Sequence, residues 1–252
     1  MIAEERHRRI LNLLERQTSA SVRDLRREIN VNPMMLWRDL RILEEQGLLR
    51  RVRGGAQRAD VAREATFRAK KRARSIIKAR LAQTAVERFV KKGDVVILEG
   101  GTTVTELAAF VAEMEVTVLT NSLPVAQRLF ALRCKCAVYL SGGLLRGESG
   151  TFVGREAVRF FSGKRAAVFF MSSTGLEEDR GFTDPNPQEI EVKQAMIRAA
   201  KRVVALVDSS KIGTSSLMPV TAPARVNHLI TDADPARLAW LQHRGTEVIR
   251  AR

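Results

Sequence analysis

Residues 21–56 read SVRDLRREINVNPMMLWRDLRILEEQGLLRRVRGGA, and this stretch decides the first half of the fold. Ser21 suits a helix N-cap, because its hydroxyl can accept from the free amides of a first turn. Val22, Leu25 and Ile29 then share one helical face. Asn30-Val31-Asn32 reads as a turn. Asn32 can cap a second helix, and Pro33 takes its first position, where a missing N–H costs nothing. Leu36, Leu40 and Leu43, flanked by Met35 and Ile42, form the stripe that buries this helix. The opposite face carries Met34, Trp37, Arg38 and Arg41. Gly47 is expected to end the helix, as glycine does where φ turns positive. Leu48 to Arg53 then reads as a basic strand leading to Gly54-Gly55. This order predicts a winged helix-turn-helix over residues 1–57, which would set its second helix in the DNA major groove. The expected contacts to double-stranded DNA are Ser21, Asn32, Met34, Trp37, Arg38, Arg41, Arg51 and Arg53.

Upstream, residues 3–16 form a helix whose Ile10, Leu11, Leu13 and Leu14 face the other two. Downstream, the charge changes. The net charge of the 252-residue chain is +15. Residues 61–80 carry 8 Lys and Arg against one acid, whereas residues 81–252 carry 22 basic against 18 acidic. Residues 58–80 therefore read as a basic linker suited to phosphate, the competing reading being a solvated helix. The N-terminus MIAEERHRRI lacks a signal-peptide core, and no apolar run reaches the ~18 residues needed to span a bilayer. A cytoplasmic protein with no membrane association is expected. Cys134 and Cys136 read as buried reduced thiols on one face of a strand. With three histidines there is no metal-ligand pattern, and no cofactor is expected.

From residue 81 helices alternate with short apolar strands, at Val95–Leu98, Val116–Thr120, Ala137–Leu140, Ala167–Met171 and Val203–Val207, with a last unit from His228 to Ile249. The predicted fold class is α/β: a Rossmann-like domain over 81–252 with a mainly parallel sheet covered on both faces. Ligands of such sheets sit outside the carboxyl ends of the strands. Those ends are Glu99-Gly100-Gly101-Thr102-Thr103, Asn121-Ser122, Ser141-Gly142-Gly143, Ser172-Ser173-Thr174-Gly175 and Asp208-Ser209-Ser210-Lys211. Glycines admit close backbone approach, hydroxyls donate, and a helix N-terminus favours an anion. The residues expected around a small anionic ligand are Glu99, Gly100, Gly101, Thr102, Thr103, Asn121, Ser122, Gly142, Gly143, Thr174, Lys193, Asp208 and Lys211, the two lysines supplying positive charge.

The chain resembles the DeoR family of bacterial sugar-metabolism regulators along nearly its whole length. The matching segments are ERHRRILNLLERQTSASVRDLRREINVN (5–32), WRDLRILEEQGLLRRVRGGA (37–56), LEGGTTVTELA (98–108), VTVLTNSLPVA (116–126), LSGGLLRGESGTFVG (140–154), VKQAMIRAAKRVVALVDSSKIG (192–213) and LITD (229–232). The resemblance implies a winged helix-turn-helix joined to a sensor domain that looks like sugar-phosphate isomerases. It also implies a phosphorylated sugar or polyol effector and, usually, repression. Three positions depart from the family pattern. Trp37 stands for an arginine, Glu99 for an aspartate, and Ser172-Ser173-Thr174-Gly175 for a Gly-Ala-Asp-Gly-like strand end. The first bears on operator sequence, the others on effector identity.

Two readings compete with an effector-controlled repressor. A sugar-phosphate isomerase would need a positioned carboxylate base, for which Glu99 and Asp184 are the candidates. A constitutive DNA-binding protein would use the second domain only to oligomerise. A homodimer or homotetramer is expected, because one winged module buries little surface and paired half-sites multiply affinity.

Overall fold

The computed structural model describes residues 2–17, 19–46, 48–52, 54–58, 67–72 and 74–251. The helix end expected at Gly47, the wing contact expected of Arg53 and linker residues 59–66 lie outside the described residues. The chain divides into two units, Met1–Ala73 and Arg74–Arg252.

The first unit runs α1 (Ala3–Gln17), β1 (Ser19–Ser21), α2 (Val22–Ile29), α3 (Pro33–Glu45), β2 (Leu49–Val52), β3 (Gly55–Arg58) and α4 (Phe67–Arg72). The caps are those the sequence suggests: Ser21 Oγ accepts from Asp24 N at 3.1 Å and Asn32 Oδ1 from Met35 N at 2.8 Å. Asn30 takes the left-handed conformation between the helices, with φ 48°. Ile10, Leu14, Leu25, Ile29, Leu36, Leu40, Leu43 and Leu49 close one small core. Met35, expected beside that stripe, stands exposed instead. The wing has a third strand that was not foreseen: β1 pairs with β3 and β3 with β2, all antiparallel. A Cβ at Gly55 would lie 2.2 Å from Ala20 O, so only glycine lets the two strands meet there.

The second unit opens with α5 (Ser75–Phe89), β4 (Val95–Leu98), α6 (Thr102–Thr105), α7 (Ala108–Val111), β5 (Thr117–Thr120) and α8 (Leu123–Ala131). It continues through β6 (Ala137–Leu140), β7 (Leu144–Arg146), β8 (Thr151–Val153), α9 (Arg155–Phe161) and β9 (Ala166–Met171). Then follow β10 (Gly175–Glu177), β11 (Gly181–Asp184), α10 (Pro187–Ala199), β12 (Ala200–Leu206), β13 (Met218–Thr221), β14 (His228–Thr231), α11 (Ala239–His243) and β15 (Glu247–Arg250). Seven strands make one sheet in the order β15-β14-β12-β9-β4-β5-β6, and every pairing in it is parallel. All seven carboxyl ends therefore reach the same rim. Alternate residues feed two cores. Ile97, Phe169, Met171, Val203 and Ala205 join one cluster, and Val96, Leu98, Val168, Phe170, Val204 and Leu206 the other.

Four expectations are corrected. Residues 74–80, read as linker, belong to the second unit, because α5 buries Lys78, Leu81, Ala82 and Ala85. The single helix expected between the strands at Val95–Leu98 and Val116–Thr120 is two short ones, α6 and α7. The sheet is not covered on both faces throughout, since all four residues of the edge strand β6 are exposed. Cys134 and Cys136 precede β6 rather than lying in a strand, and they are half-buried, with Cys134 Sγ donating to Cys136 O at 3.6 Å. Desolvation, helped by the Cys134 thiol, pushes the Cys136 thiol up to about 12.

Candidate functional site

In the first unit α3 presents Met34, Trp37, Arg38 and Arg41 to solvent on one side. Its other side is anchored by a residue the sequence reading passed over. Asp39 is 2% exposed and receives Arg6 Nε at 2.7 Å and Arg6 Nη2 at 3.0 Å, with His7 Nε2 3.0 Å away. Burial alone would raise the Asp39 carboxyl, but the hydrogen bonds from Arg6 and His7 hold it below the usual range. Arg38 and Arg41 have no acidic partner among the described residues, so their full charge faces outward. Ser21 and Asn32 spend their side chains on helix caps, so their positions are set by the turns they close. Arg51, expected to meet phosphate, is tied to Glu44 through Nε at 2.6 Å and its backbone N–H at 2.8 Å. The pair fixes the wing to the end of α3.

In the second unit the sheet order brings Asp208, Thr174, Glu99 to Thr103, Asn121 and Ser122, then Gly142 and Gly143, along one rim. Gly142 and Gly143 hold φ of 68° and 107°, which explains glycine there. Gly100 and Gly101 are explained by packing instead. A Cβ at Gly100 would meet Thr151 Cγ2 at 2.0 Å, and one at Gly101 would meet Ser172 Oγ at 2.1 Å and Glu99 Oε1 at 2.3 Å. Gly101 gives α6 no side-chain cap, which leaves its first amides uncapped. Ser122 caps α8 by accepting from Val125 N at 3.2 Å.

Thr151 belongs to a hairpin, β7–β8, that docks on this rim and that the sequence reading did not connect to it. Asn121 Nδ2 donates to Phe152 O at 3.0 Å, and Thr151 Oγ1 donates to Glu189 Oε1 at 2.6 Å. Arg146 Nη1 reaches the same Glu189 oxygen at 2.8 Å. Among the described residues five buried side-chain polar atoms have no hydrogen-bond partner: Thr103 Oγ1, Asn121 Oδ1, Ser173 Oγ, Arg74 Nε and His228 Nδ1. The first three lie at the strand ends of the rim.

Lys193 corrects an expectation. It is not a rim cation awaiting an anion but a buried residue whose ammonium is fully engaged. Nζ donates to Ser172 O at 2.8 Å and to Asp184 Oδ2 at 2.5 Å, and lies 3.1 Å from Glu99 Oε2. Glu99 Oε1 in turn accepts from Ser172 N and Ser172 Oγ, both at 2.8 Å. Thr174 N donates to Asp184 Oδ1 at 2.7 Å. Burial opposes every charge here. For Lys193 the facing carboxylates of Asp184 and Glu99 outweigh it and raise the ammonium. For Asp184 the Lys193 charge and the bonds from Lys193 and Thr174 outweigh it and lower the carboxyl.

A second ionic cluster lies at the start of this unit. Arg74, in the left-handed conformation at φ 53°, sends Nη2 to Asp232 Oδ2 at 2.7 Å and to Ser209 Oγ at 2.8 Å. Its Nε is 3.5 Å from the buried Asp208. Asp208 also accepts from Ser210 N and Oγ. Its burial is outweighed by Lys211, Ser210 and Arg74, so its carboxyl lies below the ordinary range. The first residue of the second unit is thus fastened to the ends of β12 and β14.

Comparison with known proteins gives two domain matches. A DeoR-like helix-turn-helix domain matches residues 6–61, and a DeoR C terminal sensor domain matches residues 74–233. The putative aga operon transcriptional repressor of Escherichia coli O157:H7 is 31% identical over 251 residues, covering 97% of this chain and 93% of that one. The glycerol-3-phosphate regulon repressor of Shigella flexneri is 28% identical over 232 residues, covering 92% and 91%. Ribose 5-phosphate isomerase A from Methanocaldococcus jannaschii aligns with a TM-score of 0.41 at 16% identity, over 56% of this chain and 55% of that one.

Proposed function

Because this chain belongs to the DeoR family of DNA-binding transcriptional regulators, we propose that it represses a carbohydrate-metabolism operon and is released by a small phosphorylated sugar or polyol. α3 enters the major groove, with Arg38 and Arg41 reading guanine edges or phosphate and Met34 and Trp37 packing against bases. The wing, through Arg51 and Arg53, follows the backbone. The protein acts in the cytoplasm as a homodimer or homotetramer, so that two modules address paired half-sites.

The observation that carries the effector reading is the gathering of Thr103 Oγ1, Asn121 Oδ1 and Ser173 Oγ, buried and without protein partners, at one rim. Buried polar atoms are normally satisfied, and a hydroxyl-rich ligand would satisfy these three. The uncapped amides at the start of α6 suit its phosphate, and Lys211, half-buried beside Asp208, supplies positive charge. Sensing without turnover is supported by the state of the two candidate bases. A general base needs an open lone pair and a pKa near the working pH. Asp184 has both oxygens bonded and is held ionised, and Glu99 is bonded to Ser172 and Lys193.

For binding to regulate, it must favour one arrangement of the DNA modules. Arg74 is suited to relay this, since it leads into the linker and is anchored on Asp208 and Asp232. A coupling of ~1–3 kcal/mol would change operator affinity roughly 5- to 150-fold. Operator affinity measured with and without a panel of sugar phosphates, for wild type and for Thr103→Val with Lys211→Ala, tests the proposal. The double variant is expected to bind operator and ignore the ligand. An equal ligand response in both proteins removes the effector from this rim, and no response at millimolar ligand in wild type favours constitutive binding.

A further inference from the structure

Fifteen large apolar side chains stand exposed among the described residues, and seven of them fall between Phe130 and Leu145. Phe130 is 86% exposed at the end of α8, Tyr139 55% on β6 and Leu144 62% on β7; Leu132, Val138, Leu140 and Leu145 complete the set. β6 is the last strand of the seven-stranded sheet and, among the described residues, pairs only with β5. Val138 and Leu140 point to one face and Ala137 and Tyr139 to the other, yet all four are exposed. Natural edge strands are guarded by charge, proline or a covering element. The opposite edge follows that rule, since β15 carries Glu247 and Arg250. β6 does not: residues 136–145, CAVYLSGGLL, hold no charged side chain in a chain that is 28% charged.

We propose that β6 is the seam of a two-fold homodimer, a second copy of this chain adding its own β6 antiparallel to extend the sheet. This deepens, and rests on, the reading of the protein as a homo-oligomer. Three arguments select a second copy. A two-fold contact must be self-complementary, and an apolar strand edge meets its own image without mismatch. Two chains of net charge +15 repel, so they associate best along a seam that carries no charge. The area also suffices: the seven side chains offer roughly 600 Å² per copy, before backbone is counted, against about 800 Å² per partner in a standard interface.

The test is light scattering of the full chain across micromolar concentrations, with hydrogen exchange on the same samples. The seam variant is Tyr139→Lys with Leu144→Lys. The control is Ile76→Lys with Leu217→Lys, at positions 77% and 60% exposed and remote in sequence from β6. Wild type and control are expected at twice 28.1 kDa. The seam variant is expected to keep its far-UV circular dichroism, to dissociate at least 100-fold more readily, and to lose affinity for a two-half-site operator while keeping that for a single half-site. In wild type the outward amides of residues 137–140 should be protected only at dimeric concentrations, a readout that stands even if the variant fails to fold. A folded seam variant that stays dimeric, or amides unprotected in the dimer, overturns the seam and leaves the homo-oligomer reading intact. A wild type that is monomeric throughout overturns both. Equal protection at all concentrations means the chain itself covers the strand, and it also overturns the seam.

Discussion

Lys193→Met removes one charge from a buried cluster of three and keeps nearly the same volume. The two carboxylates it leaves, Glu99 and Asp184, are each about as buried as the lysine. Removing one partner of a buried ion pair costs about 3–5 kcal/mol, because the remaining charge loses its compensation without regaining water. By comparison, an exposed lysine such as Lys201 replaced by Met should stay within about 0.5 kcal/mol of wild type. The pH dependence separates charge from packing. In wild type Asp184 is lowered, so its contribution is present above about pH 4 and is lost only as pH falls through the folded value. Lys193 is raised, so its contribution is present below about pH 10 and is lost as pH rises through the folded value. Between pH 5 and 8 both are therefore constant. In the variant, burial of Asp184 is opposed only by the bonds from Thr174, so its carboxyl rises from its wild-type position and protonation relieves the cluster as pH falls. The deficit should be largest at pH 8 and shrink towards pH 5. Urea unfolding followed by Trp240 fluorescence, in a Trp37→Phe background so that only the second unit reports, measures it. A deficit below about 1 kcal/mol, or one equal at pH 8 and pH 5, would refute the buried-charge account.

Other substitutions report on the first unit. Arg38→Ala should cost about 1–3 kcal/mol of operator affinity if Arg38 reads a base; unchanged binding by fluorescence anisotropy removes it from the interface. Arg51→Ala should weaken all DNA alike and reduce the salt slope by about 1, so a loss confined to one sequence contradicts the wing assignment. Asp39→Ala should destabilise this unit by about 2–4 kcal/mol, since it strands Arg6 beside a buried site. As the Asp39 carboxyl is lowered, that penalty is present above about pH 4 and vanishes as pH falls through the folded value; a penalty that persists in acid argues for packing alone. Gly55→Ala drives a methyl into Ala20 O, and a loss of about 1–3 kcal/mol in thermal unfolding is expected, whereas wild-type stability would mean β1 yields freely.

The parts legible in the sequence share a cause: they are local. Ser21 and Asn32 announce helices because a cap acts three residues ahead, and the leucines of α3 repeat within one helix. The strand ends were readable because parallel strands send every carboxyl end to one rim whatever their order. The missed features are those in which a local sign points the wrong way. Asp39, flanked by arginines, reads as a solvated charge, and only the return of α1 supplies Arg6 and His7. Lys193 reads as a cation open to the rim because its partners, Glu99 and Asp184, lie outside its own helix and arrive from the ends of β4 and β11. The basic residues of 74–80 hid the apolar stripe of α5, which continues through Ile77 and Leu81. β1 is only three residues, Ser19-Ala20-Ser21, too short for its alternation to stand out. Ala137–Leu140 spells the same apolar word whether helices cover it or not, so periodicity could not reveal an uncovered edge.

The strand order has a consequence for how the molecule is made. β4, β5 and β6 are adjacent in space and are the first strands of the seven-stranded sheet to leave the ribosome, whereas the strand that closes the inner edge of β4 is β9, complete only at Met171. For the interval between Leu140 and Met171, on the order of seconds at cellular synthesis rates, the nascent chain can hold a three-stranded sheet bare along both sides. Parallel pairing over such separations is slow, and both sides are apolar. Slowing translation between residues 141 and 166 should therefore lower soluble yield while leaving the finished chain as stable as before.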